Sequence, residues 1–179
     1  MCVEHVDTEP GAVTGYLPLI SSPWDIATMG LNQAAITLPS IESIHIISTK
    51  PDLSLLRITK ADGNCRGICS TTDNKLVVSF TNPRKVQVVD GHAGTVLSEI
   101  GGADSRPRLS DPLYVIVVTE NGNEVIYVSD YHIYGLTKFS ITGQVLLSYK
   151  DNDFAGPLGL LLTMETYWSV RRGHKMSRL

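Results

Sequence analysis

The same order of short apolar runs and turn residues recurs along this chain about every 45 residues, and a period of that length confines the chain to a repeat architecture. The clearest copy runs from Cys65 to Ile100. It holds a short apolar run around Ile68, a turn at Thr72-Asp73-Asn74, an apolar strand Leu76 to Phe80 and an alternating strand Lys85 to Val89. A turn from Asp90-Gly91 to Gly94 then leads into a last strand, Thr95 to Ile100. Residues 112–150 repeat that order with Val115 to Val118, the turn Asn121-Gly122-Asn123, Val125 to Ser129, Leu136 to Phe139, a turn at Gly143 and Val145 to Tyr149. A more worn copy precedes both, through Trp24-Asp25-Ile26, Ala34 to Leu38, Ile44-His45-Ile46 and Leu53 to Ile58.

Each copy therefore contains four short strands and no helical periodicity. Four strands in sequence, joined by tight turns, make one antiparallel sheet that cannot bury both of its faces alone; stacking the copies face to face supplies the core. The expected fold is all-β, a partial, open β-propeller of about three four-stranded antiparallel blades. The blades are expected over 17–60, 61–107 and 108–153, after an N-terminal extension at 1–16, with a fourth begun at 154–161. A parallel α/β sheet is excluded because no crossover helices separate the strands.

Several segments carry a resemblance to a known family. Pro157 to Leu160 (Pro-x-Gly-Leu), Ile126 to Asp130 (Ile-Tyr-Val-Ser-Asp), Lys85 to Asp90 and the Gly-x-Val-Leu runs at Gly94 and Gly143 resemble the NHL repeat. The order Pro-Trp-Asp-Ile, Arg-Gly-Ile and Pro-x-Gly-Leu is similar to the C-terminal propellers of tripartite-motif-like proteins, over residues 17 to 161. The second copy departs from the pattern, carrying Ser79-Phe80-Thr81 where the repeat usually has an aspartate after the strand. The resemblance implies a recruiting module within the ubiquitin pathway, with RNA binding in some members. The chain itself holds no Cys/His array of RING or B-box type.

The tail breaks the repeat. After Leu160, residues 162–179 contain neither the Asn-Gly turn nor the apolar strand that should follow. In the reading frame that joins each codon's third base to the next two, Met164–Glu165 yields Gly and Tyr167–Trp168 yields Leu. The neighbouring positions permit an Asn-Gly turn and an apolar strand, so the tail is read as a frameshift, with a genuine alternative exon as the other reading; the transcript sequence decides between them.

With 42% hydrophobic and 18% charged residues the 179-residue chain has the composition of a globular core, and a formal charge of −3 gives no general affinity for polyanions. The N-terminus lacks a basic start followed by an apolar run, and the expected location is cytoplasmic. Cys2, Cys65 and Cys69 are too few for a disulfide framework. No partner ligands stand near Cys65 and Cys69 at zinc spacing, so both are expected to be buried structural thiols.

No nucleophile elbow, His-Glu-x-x-His or phosphate-binding glycine loop is present, and no cofactor is expected. Asp25, Asp73, Asp90, Asp111 and Asp130 fall at turns and strand ends. There a carboxylate accepting backbone N–H groups is the ordinary role, for Asp130 those of the next turn. The residues that suggest partner binding are basic and aromatic: Arg66, Arg84, Lys85, Arg106 and Arg108 at strand starts and connections, and Tyr131, His132 and Tyr134 in a turn. The expectation is a non-catalytic module that binds a protein, or RNA, and that recruits missing blades or self-associates because its end blades are open. The alternative is a propeller hydrolase of gluconolactonase type with a channel metal held by Asp25, Asp111 and Asp130.

Overall fold

The computed structural model describes residues 1–9, 11–101 and 108–150 in full, and the strands at 157–163, 166–171 and 174–178 by their backbone. Strands dominate. The first two, β1 (Cys2–Asp7) and β2 (Ala12–Pro18), form a two-stranded sheet. Blade 1 comprises β3 (Ile26–Met29), β4 (Gln33–Leu38), β5 (Ser43–Ser48) and β6 (Ser54–Lys60). Blade 2 comprises β7 (Cys65–Ser70), β8 (Lys75–Thr81), β9 (Arg84–Asp90) and β10 (Val96–Ile100). Blade 3 comprises β11 (Pro112–Glu120), β12 (Asn123–Asp130), β13 (Gly135–Ser140) and β14 (Val145–Lys150). A last sheet joins β15 (Pro157–Thr163), β16 (Thr166–Arg171) and β17 (His174–Arg178). Every pairing is antiparallel between consecutive strands, and the sheets do not close into a ring.

The second strand of each blade explains the stacking. In β8, Leu76, Val78 and Phe80 point toward blade 1, where they join Ala27, Met29, Ala35, Ile44 and Ile46 in one core. Val77, on the opposite face, joins Val86, Val88 and Ile100 against Val115, Ile126, Val128 and Phe139 of blade 3. The strand has no polar side because both faces of its blade are covered, and each such large side chain contributes about 1.5–3 kcal/mol. The close approach of the inner strands is set by Gly67: a Cβ there would lie 2.6 Å from the Tyr114 Cα and 2.7 Å from the Leu113 carbonyl oxygen.

Hydroxyls reinforce the same seams. Thr37 of β4 donates to the carbonyl of Arg66 in blade 2 at 2.6 Å, and Ser79 of β8 donates to the carbonyl of Leu113 in blade 3 at 3.1 Å. Thr37 and Ser79 are both fully buried, and within their own blades they accept the N–H of Asp25, just before β3, and of Gly67 in β7.

Residues 1–16 are expected as an extension outside the repeats, but strands β1 and β2, spanning residues 2–18, have the pairing of the outer half of another blade. The pairs Val3–Leu17, Glu4–Tyr16, His5–Gly15 and Val6–Val13 correspond, at a constant offset of 83 residues, to Val86–Ile100, Gln87–Glu99, Val88–Ser98 and Val89–Val96. The bulge falls at the same place. The turns agree as well: the Asp7 carboxylate accepts Glu9 N–H at 3.1 Å as Asp90 accepts His92 N–H at 2.8 Å, and Gly11 and Gly94 have φ of 68° and 73°. Val3, Leu17 and Leu19 pack on Ala34, Ile36, Leu38 and Ile47, so the face of blade 1 expected to be open is covered.

Candidate partner-binding rim

In a four-stranded meander the interblade connection and the middle turn emerge at one end of the blade, and the first and third turns at the other. Arg66, Arg84, Arg108, Tyr131, His132 and Tyr134 all belong to the first of these ends. Arg106 lies outside the described residues.

At this end the inner strands of three blades bring together a group that was not legible from spacing. The Arg66 guanidinium carbon sits 4.0 Å from the centre of the Trp24 ring, and the Trp24 and Tyr114 rings are 6.1 Å apart at 33°. Trp24 stands before β3, Arg66 in β7 and Tyr114 in β11, so three successive blades contribute one residue each. Trp24 is 39% exposed, and the buried Arg66 Nε–H has no hydrogen-bond acceptor among the described residues. Beside them the Asp25 carboxylate accepts Ile26 N–H at 2.9 Å and Ile68 N–H at 3.0 Å, stitching blade 1 to blade 2. Burial pushes the Asp25 carboxyl above the ordinary range, against those two amide donors. Burial likewise raises the Tyr114 phenol.

The second group is in blade 3. Tyr131 and His132 meet edge to face with centroids 5.6 Å apart, His132 Nε2 is 3.7 Å from the Asp111 carboxylate, and Tyr134 holds φ of 50° with 41% exposure. Arg84, the first residue of β9, and Arg108, leading into β11, are exposed.

Lys85 corrects the sequence reading. Alternation in β9 turns it inward beside Arg84, where it is 4% exposed and its ammonium binds Asp62 at 2.5 Å and Glu99 at 2.9 Å. Burial works against its charge, but the two carboxylates prevail and hold its pKa above the ordinary value. Gln87 donates to the same Glu99 carboxylate at 3.0 Å. Lys85 is a strut within blade 2.

Asp130 is fully buried, and its two oxygens accept Ser110 N–H at 2.6 Å and Asp111 N–H at 2.8 Å. It ties down the connection entering its own blade, not the turn after it. Among the described residues no group of three or more His, Cys, Asp or Glu side chains converges, so Asp25, Asp111 and Asp130 do not form one site. Cys65 is buried and Cys69 half-buried; burial raises both thiols, and the Cys69 sulfur accepts Val117 N–H at 3.4 Å.

No family model matches the sequence, and no curated protein matches it. Solved structures match in fold. Virginiamycin B lyase from Staphylococcus aureus is 15% identical, with a TM-score of 0.76 over 99% of this chain and 59% of that one. The WD40 β-propeller domain of Doa1 is 13% identical, with a TM-score of 0.70 over 89% of this chain and 51% of that one. The computationally designed Ika4 protein is 15% identical, with a TM-score of 0.66 over 90% of this chain and 92% of that one. The chain thus spans little more than half the length of the first two. Its fold, on the geometry and on these likenesses together, is an open arc of a β-propeller.

Proposed function

We propose that this chain is a non-catalytic recognition module whose rim, centred on Trp24, Arg66 and Tyr114 and flanked by Arg84, Arg108, Tyr131, His132 and Tyr134, binds a protein partner. The observation that carries the reading is the stacked Arg66–Trp24 pair, with a guanidinium N–H that no group among the described residues accepts. Partly exposed Trp, Tyr and Arg side chains on a rigid framework are the residue types that dominate protein interfaces, because they offer large contact area at little entropic cost. The repeat signature at Ile126 to Asp130 and Lys85 to Asp90 supports a narrower reading, the recruiting end of a tripartite-motif-like ubiquitin ligase.

The test is comparative capture. Binding proteins are quantified for the unaltered chain, for Trp24→Ala with Arg66→Ala, and for Thr142→Ala with Gln144→Ala at the opposite end. Partners lost only from the rim variant support the reading. Partners retained by both variants overturn it, capture that depends on RNA replaces protein with RNA as the ligand, and tight stoichiometric calcium or zinc binding in calorimetry replaces the module with a hydrolase.

A further inference from the structure

The half-blade at the N-terminus carries an inference independent of the rim. In the three complete blades the third strand is paired on both edges: β5 by β4 and β6, β9 by β8 and β10, β13 by β12 and β14. Strand β1 holds that third position, since it matches β9 residue for residue, yet among the described strands it is paired only with β2. Its other edge presents unpaired backbone N–H and C=O groups, the feature of a sheet that recruits another strand. What belongs there is an inner pair of strands of the β7–β8 kind.

We propose that a second copy of this chain supplies them, with strand β16 of one copy pairing with β1 of the other. Strands β15 and β16 occupy the inner positions of a fourth blade: β15 packs against β11 and β12, as β11 packs against β7 and β8. Pro157 pairs with Arg171 as Pro112 pairs with Asp130, which fixes the register. With β17 displaced from the edge of β16 that it occupies, β15 and β16 of one copy and β1 and β2 of the other make one blade of four strands, and a twofold axis makes the second. Six complete and two composite blades give a ring of eight, within the four to eight of closed propellers. Closure within one copy would give four blades. The sheets of one copy, however, do not join into a ring.

Register makes the proposal testable by cross-linking. Cys2 corresponds to Lys85, which pairs with Phe80 across β8; Phe80 corresponds to Asp130, and hence to Arg171. In solution the chain is expected to sediment at twice its own mass, and mild oxidation of the Arg171→Cys variant is expected to give a covalent dimer that Cys2→Ser abolishes. Thr166→Cys, five residues along β16 and so about 16 Å away at strand rise, is expected not to form one. Strand β17 holds the β16 edge within one copy through three cross-strand pairs, so deletion of residues 174–179 is expected to tighten the dimer. A monomer at all concentrations, a Cys2–Cys cross-link inside one chain, or equal cross-linking from both cysteine positions would overturn the proposal.

Discussion

The Ser79 hydroxyl stands between two blades, accepting the N–H of Gly67 in its own blade at 2.9 Å and donating to the carbonyl of Leu113 in the next at 3.1 Å. Thr37 makes the same donation one blade earlier, to Arg66. A buried hydroxyl thus satisfies backbone groups on both sides of each seam, where an apolar side chain of the same size would leave them unpaired. Ser79→Ala should cost about 1–3 kcal/mol, the penalty for an unsatisfied buried polar group. Chemical denaturation of the variant beside the unaltered chain measures it, and no change in midpoint would remove the seam bond from the account.

Gly67→Ala should be worse than its single methyl suggests. The added carbon meets the backbone of Leu113, Tyr114 and Val115, which cannot move without shifting the whole of β11. A loss of at least ~1–3 kcal/mol is expected from such overpacking. Near-ultraviolet circular dichroism should report disturbed packing around Trp24 and Tyr114, and an unchanged spectrum with an unchanged melt would contradict the close approach.

The buried His45 side chain, on the strand face that carries Ile36 opposite it, sets a pH dependence. Burial lowers its pKa from 6.5, and its Nε2 has no partner among the described residues. Above 6.5 the ring is neutral folded and unfolded, so it has no effect. As pH falls below 6.5 the unfolded chain takes up a proton that the folded chain excludes, and stability drops. Melting temperatures between pH 7.5 and 5.5 should fall for the unaltered chain and fall less for His45→Leu.

Lys85 gives the opposite test with carboxylates. Hydrogen bonds from Lys85 to Asp62 and from Gln87 and Lys85 to Glu99 hold both carboxyls below their ordinary 3.8 and 4.5. Their stabilisation is present above those values and is lost as pH falls through the lowered ones. Both carboxylates are substantially exposed, so Lys85→Met should cost no more than about 1 kcal/mol at neutral pH. The difference between variant and unaltered chain should shrink below pH 4, and a constant difference would show that packing alone is at stake.

The propeller layout was legible because its signals are local. The Asn121-Gly122 turn joins β11 to β12, and the apolar run Leu76 to Phe80 lies wholly within β8. The N-terminal half-blade was not legible, because it contributes only Val3, Leu17 and Leu19 to a core and carries Glu4, His5, Thr14 and Tyr16 on strands that are mostly exposed. Its identity lies in register and turn geometry, which composition does not display. Lys85 was misplaced because one step along a strand reverses the face, so that its neighbour Arg84 is exposed and Lys85 is not. Arg66 was found by charge, but Trp24 and Tyr114 join it only when three blades stack, 42 and 48 residues away along the chain.

The central claim is that one blade unit repeats along the chain, beginning with an outer half at residues 2–18. Residue-resolved hydrogen exchange tests it most directly. Amides of β2 that pair with β1 should be protected to the same degree as those of β10 that pair with β9, with the strongest protection in β4, β8 and β12. Exchange of residues 2–18 at unstructured rates, while blades 1 to 3 stay protected, would contradict it.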